Sequence, residues 1–327
     1  MDKVFSVIIN GKKQDLGLGS KNQLQIEMGA RIDGSKQAVP VGVIVGKELG
    51  TRLALTGGVH GDEFEGPAAV SRIWRNTDPK KLKGVLILIP AVNLYALQEA
   101  QRDTPVDGIN LNRCFPGKKG GSWSQRLADA ILNFLADNCD FVLDFHSAGM
   151  DLTIAPCAML APGLPGSDGA RKLAMYTGHQ YMWEQEFPGD ISSALSRRSV
   201  PAVSTEVGGE GRAREEEVAL NMTAAQRVMI ALNMVEKPKG YTGACGCSPV
   251  AVQGSWITAG CDGLFRSTCR MKEDVKAGSL LGEIYDLWGN VAEEIRAPHD
   301  GIVFGIRTLG VARTGQWLVL LMQRKDS

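Results

Sequence analysis

Several things are scarce in this 327-residue chain. It has no net charge, since 36 basic side chains balance 36 acidic ones. That removes the long-range field that would draw nucleic acid or an anionic membrane, so neither is the expected partner. It lacks a long apolar run. The longest, VLILIPAV at 85–92, is far too short to span a bilayer. The opening residues, MDKVFSVIINGKK, hold no apolar stretch followed by a small-residue cleavage site. Cysteines number seven, an odd count, and are scattered, which argues against a disulfide framework and for a reducing, cytoplasmic setting. Histidine is scarcer still, with four. Glycine is abundant: 39 of 327, about 12%, against about 7% in an average protein. Tight turns and close backbone approaches are implied.

A chain of this length, 44% hydrophobic and 22% charged, can bury a large core and make about two domains. β-Branched runs predict strands at Pro40–Val45, Arg52–Thr56, Val85–Pro90, Phe141–His146 and Ala202–Glu206. Their unbroken apolar pattern suits strands covered on both faces. Helical spacing predicts helices over Phe64–Arg75, Ser124–Asn138 and Arg214–Val235. Alternating strands and helices predict an α/β domain with a mixed, largely parallel sheet flanked by helices. Sites in such sheets lie beyond the carboxyl ends of the strands. The stretch KPKGYTG at 237–243 breaks the pattern, and only short strands follow: Ser279–Tyr285, Glu293–Ala297, Gly301–Ile306 and Gln316–Met322. We therefore expect an α/β domain over 1–238 and a small all-β, barrel-like domain over 239–327.

Two of the four histidines sit where such a site would form. His60, in TGGVHGDEFEG, follows one predicted strand and precedes a helix, with Glu63 three residues on. His146 ends the strand in FVLDFHSAG. An isolated His-x-x-Glu pair is more often ordinary surface than a metal site. The surrounding glycines and the strand-end position of His146 change that balance. Two imidazoles and a carboxylate form one of the catalytic zinc arrangements, with a position left for water. Asp144 shares a strand face with His146 and could either support it or be a core-edge carboxylate. His179 and His299 have no comparable setting.

Four motifs in order, HGDEFEG, QRDTPVDGINLNRCFPG, LDFHSAG and STEVGGEG, resemble the zinc carboxypeptidase superfamily. Within it, the similarity is to the succinylglutamate desuccinylase/aspartoacylase branch, over roughly residues 40–235. TGGVHGDEFEGP and NLNRCFPG look most like its N-acetyl-diaminobutyrate deacetylases. The resemblance implies one Zn2+ per chain on His60, Glu63 and His146. It makes Glu206 the general base and Arg102 the group that holds the oxyanion. It assigns Arg113, with Asn112, to a substrate carboxylate, which a guanidinium can grip through two hydrogen bonds. Asn110 stands where many relatives have an aspartate supporting the first histidine. It can still accept a hydrogen bond, without the charge.

The implied activity is hydrolysis of the linear amide of a small N-acyl amino acid. The competing readings are a carboxypeptidase-like metallopeptidase and a non-catalytic ligand-binding relative. The oligomeric state, monomer or homo-oligomer, is not legible. The loops Ala161–Gly169 and Pro116–Ser122 are either pocket rim or plain connectors. Cys245, Cys247, Cys261 and Cys269 lack zinc-ribbon spacing, so buried free thiols are expected. The tail DVKAGSLLGEIYD…IRAPHDGIVFGI resembles a biotinyl/lipoyl-like barrel, but the stretch Asp286–Val291 has no lysine to carry a prosthetic group. A domain that packs on the catalytic one and narrows its access is expected instead.

Overall fold

A computed structural model of the chain describes residues 4–241 and 249–324. The chain opens with a hairpin, β1 (Val4–Ile9) and β2 (Lys12–Gly17), followed by β3 (Ser20–Ala30) and β4 (Lys36–Val45). Then come β5 (Arg52–Gly57), α1 (Glu65–Asn76), β6 (Val85–Ile89), α2 (Leu94–Gln98), a 3-10 turn over Leu111–Arg113, and α3 (Trp123–Asn138). Next are β7 (Phe141–His146), β8 (Leu152–Leu160), α4 (Ser167–Thr177), β9 (Tyr181–Glu184), α5 (Ile191–Arg197), β10 (Ala202–Gly209) and α6 (Glu215–Ala231). Among the described residues that follow, every element is a strand: β11 (Val250–Thr258), β12 (Gly263–Ser267), β13 (Asp274–Val275), β14 (Leu280–Tyr285), β15 (Val291–Arg296), β16 (Gly301–Arg307), β17 (Val311–Ala312) and β18 (Trp317–Arg324).

The apolar runs became the centre of one mixed sheet, as expected of an α/β fold. Its twelve strands run β13-β16-β18-β11-β9-β8-β10-β7-β5-β6-β4-β3. The four central strands β6, β5, β7 and β10 are mutually parallel, so their carboxyl ends share one edge. Every residue of β6 is buried. Helices cover both faces: α3 packs its Leu127, Ile131 and Leu135 in one apolar cluster, while α1 and α6 close the other with Val70, Ile73, Val228 and Met229. A capping box at Ser122 and Gln125 starts α3.

Some elements escaped the sequence reading. β3 is half polar, SKNQLQIEMGA, and alternates exposed and covered residues rather than forming an apolar run. Helix α6 ends at Ala231, short of the expected Val235, and Asn233 follows in the left-handed region (φ 56°).

The C-terminal strands are joined to the large sheet. β11 lies parallel to β9, with Val250 opposite Tyr181, and β16 pairs with β8, with Gly305 opposite Ile154. β15, β14, β12 and β17 form a separate four-stranded sheet. This region has an apolar cluster of its own around Phe265, Ile284 and Leu318. A second cluster is shared, with Ile154, Tyr181 and Trp183 packed against Phe304, Leu320 and Met322. Tyr181 meets Phe304 edge-on at 5.1 Å between ring centroids, a contact worth about 1 kcal/mol beyond area burial.

Candidate metal centre

The parallel register does the first part of the assembly. His146 is the last residue of β7, and its partner across the ladder is Glu206 on β10. His60 lies in the turn leaving β5, next to β7 in the same sheet, and Glu63 lies just before α1. Gly61 is needed here for space. A Cβ on it would lie 1.9 Å from the Ala96 carbonyl carbon, and its N–H donates to the Gln101 carbonyl oxygen at 2.9 Å. That close approach also brings Arg102, the next residue, beside Glu63.

The two imidazoles face one carboxylate. His60 Nδ1 is 2.7 Å from Glu63 Oε1, and His146 Nδ1 is 2.7 Å from Glu63 Oε2. All three side chains are buried. The outer nitrogens are held from behind: His60 Nε2 by Asn110 Oδ1 at 3.1 Å, and His146 Nε2 by Asp144 Oδ2 at 2.7 Å. Thr56 Oγ1 donates to the other Asp144 oxygen. Both outer nitrogens therefore donate, which turns each Nδ1 lone pair inward. Lone pairs facing a carboxylate at that distance need a cation or a proton between them. One ligand atom from each of the three residues fits within a 4.8 Å span. Two nitrogens and a carboxylate oxygen suit zinc.

Electrostatics agree with that reading. Burial opposes charge on Glu63, but the two imidazoles outweigh it and hold the carboxyl well below its ordinary range. Burial likewise opposes charge on His146, yet Asp144 and Glu63 raise its pKa well above normal. His60 goes the other way, to about 4, through burial and the nearby Arg102 guanidinium. Glu206 is pushed up to about 8 by burial and by repulsion from Glu63.

The other expected site residues gather here too. His60, Arg102, Asn112, Arg113, His146 and Glu206 line one cavity of about 80 Å³. Arg102 Nη1 donates to Glu63 Oε1 at 3.0 Å. The Arg113 guanidinium lies over the Phe187 ring, and its Nη1 donates to the Asn112 carbonyl. Asn112 uses its side-chain oxygen to accept from the Ile191 N–H at 3.0 Å.

Sequence reasoning missed the wall of this cavity. Trp183, Phe187, Trp256 and Trp317 all line it, with Asp190. Trp256 and Trp317 come from β11 and β18 and stack at 5.1 Å with 7° between planes. The Arg102 guanidinium lies 5.9 Å from the Trp317 ring centre. Aromatic residues in separated strands carry no spacing signal, so nothing in the sequence pointed to them. The loops Ala161–Gly169 and Pro116–Ser122 contribute nothing to the lining.

Cys261 and Cys269 are half-buried and free. Among the described residues neither joins a metal-holding group. Cys245 and Cys247 lie outside the described residues. His299 and His179 are both half-buried and lie away from the cavity.

Comparison with known proteins fits this geometry. The succinylglutamate desuccinylase/aspartoacylase catalytic domain matches residues 49–232. The chain belongs to this family. Family members are zinc-dependent hydrolases, and the chain is an N-acyl amino acid deacylase of that kind. A curated relative, the N-alpha-acetyl-L-2,4-diaminobutyric acid deacetylase of Halomonas elongata, is 29% identical over 88% of this chain and 86% of its own. A succinylglutamate desuccinylase/aspartoacylase from Rhodobacter sphaeroides superposes with a TM-score of 0.83 at 26% identity, covering 94% of this chain and 96% of that one. The product-bound ectoine utilization protein EutE of Ruegeria pomeroyi has the same fold, with a TM-score of 0.84 at 24% identity over 98% and 99% of the two chains. No helix among the described residues is long and apolar enough to cross a membrane.

Proposed function

We propose that this deacylase holds one zinc ion on His60, Glu63 and His146 and cleaves a small N-acyl amino acid at its amide bond. The convergence of both Nδ1 atoms on Glu63, beside Glu206 and two arginines, carries the reading. Zinc held there supplies the Lewis acidity that amide hydrolysis needs. Glu206 takes the proton of the attacking water and passes it to the leaving nitrogen. Its raised pKa suits that exchange, because such a carboxylate binds and releases a proton near neutrality. Arg102 holds the carbonyl oxygen as charge develops on it. Arg113 grips the substrate carboxylate, and Asn112 can add its NH2 group.

Trp256 and Trp317 wall the cavity on one side, which supports a small acyl amino acid over a long polypeptide. We take residues 1–238 as the catalytic unit and 239–327 as the part whose Trp256 and Trp317 narrow the entrance. The Halomonas relative makes N-acetyl-2,4-diaminobutyrate the first compound to try. The test is a hydrolysis screen of N-acetyl, N-formyl and N-succinyl amino acids on zinc-loaded protein, with a chelated control. Turnover of one class, lost on chelation, is expected. No turnover of any would overturn the reading.

A further inference from the structure

The cavity contains one acidic group for which the proposed chemistry has no use. Asp190 is 6% exposed and lines the cavity beside Arg113 and Phe187. Its Oδ1 accepts from the Ser193 N–H at 2.8 Å and the Ser192 hydroxyl at 2.6 Å, which caps α5. Its Oδ2 is buried and has no hydrogen-bond partner among the described residues. Leaving a carboxylate oxygen dry and unpaired is costly. The natural local partner is committed elsewhere: Arg113 donates to the Asn112 carbonyl and lies over Phe187.

The position of Asp190 is fixed relative to Arg113. The Phe115 N–H donates to the Gly189 carbonyl at 3.1 Å, and the Ile191 N–H donates to Asn112 Oδ1 at 3.0 Å. Gly189 itself (φ +78°) leaves no room for a Cβ, which would lie 2.5 Å from the Arg113 carbonyl. Asp190 is thus clamped against the turn that carries Arg113. Around it stand the rings of Phe187 and Trp183, packed edge to face at 5.3 Å. Those rings can cover short methylenes and tolerate a nearby cation.

Resting on the deacylase reading above, we infer that Asp190 is a specificity residue, whose free oxygen receives a side-chain ammonium of the amino acid while Arg113 takes its carboxylate. The substrate class is then an Nα-acyl amino acid with a short cationic side chain. A neutral side chain would leave Asp190 Oδ2 unpaired, and an acidic one would be repelled.

The test compares Nα-acetyl-2,4-diaminobutyrate with Nα-acetyl-2-aminobutyrate, which lacks only the terminal amine, on wild type and Asp190→Asn. Asparagine retains an acceptor for the α5 cap and removes the charge. Wild type should favour the diamino substrate in kcat/KM by on the order of 10- to 100-fold, the worth of one charged hydrogen bond. Asp190→Asn should lose that preference by falling on the diamino substrate alone, at unchanged thermal stability and zinc content. If Asp190→Asn destabilises the fold, Asp190→Ser keeps a cap acceptor and answers the same question. Equal losses on both substrates would overturn the inference and leave Asp190 as a support for Arg113. A wild type that favours the neutral substrate, or hydrolyses only other acyl amino acids, would overturn it with the deacylase reading intact. Failure on every acyl amino acid would remove both.

Discussion

Glu63 and Glu65 are two residues apart, both buried, and opposite in behaviour. Glu63 lies between the two histidines, where His60, His146, Arg102 and the Ser147 N–H all supply it with partners. Its carboxyl is held well below the ordinary range. Glu65 opens α1 and is completely buried, with the neutral Ser147 hydroxyl as its side-chain neighbour. Burial, with Glu217 and Glu63 adding repulsion, pushes its pKa to about 7. One environment was built to keep a charge and the other to suppress it. The residue type and the depth of burial are the same, so the partners decide the protonation state.

The same substitution at both positions is the sharpest way to break this contrast. Glu63→Gln should abolish tight zinc binding and cut kcat/KM by more than about 10⁴-fold, because the several kcal/mol supplied by a Lewis acid disappears with the ligand. Metal analysis of the purified variant checks it, and full zinc content would remove Glu63 from the ligand set. His146→Ala should likewise lose most of its metal. Next in size is Glu206→Gln, which keeps the shape and cannot take the proton. It should lose about 10²–10⁴-fold in kcat/KM, toward the upper end, with zinc and thermal stability retained. Loss of zinc together with activity would instead make Glu206 a ligand.

The pH profile sharpens the same point. Glu206 works only when ionised, so kcat/KM should rise with pH through its pKa. Without a metal ion that value is about 8. A bound divalent cation favours the carboxylate, so the midpoint should fall below 8 and above the ordinary 4.5. A limb of the same midpoint in Glu206→Gln would assign the titration elsewhere. Arg113→Ala should cost roughly 30- to 1,000-fold on a carboxylate substrate, for a charged contact worth about 2–4 kcal/mol, and little on its amide. Equal damage on both would give Arg113 a structural role.

The smallest effect is expected at Glu65, and it concerns stability. Between pH 4.5 and about 7 the folded chain keeps a proton on Glu65 that the unfolded chain releases. Stability of the metal-free protein should therefore fall as pH rises across that window and level off above it. Glu65→Gln has no proton to lose. Relative to the variant, wild type should lose on the order of 2–3 kcal/mol between pH 5 and pH 8. Urea titrations at the two pH values measure it, and a constant difference would mean that Glu65 is already partnered or solvated. Zinc content and turnover should be near normal in the variant, in contrast to Glu63→Gln.

The sequence alone determined the strand ends and what they carry. Apolar runs such as VLILIP and FVLDFH can be satisfied only by strands buried on both faces, and β–α alternation makes those strands parallel. His146 and Glu206 had to emerge on one edge, and the His60–Glu63 turn beside them. Asn110 and Asp144 were also within reach of local reasoning, because each lies a fixed few residues from its motif. What only the tertiary structure decided is the cavity wall and the state of the charges. Trp256 and Trp317 reach the site because β11 pairs with β9 and β18 with β11. Asp190 reaches it because the loop before α5 is clamped to the Arg113 turn. Those contacts join positions tens of residues apart through packing that leaves no periodic trace in the chain. Protonation follows from the same contacts, since Glu63, Glu65 and Glu206 are identical as letters and differ only in how much water they lose and which charges replace it.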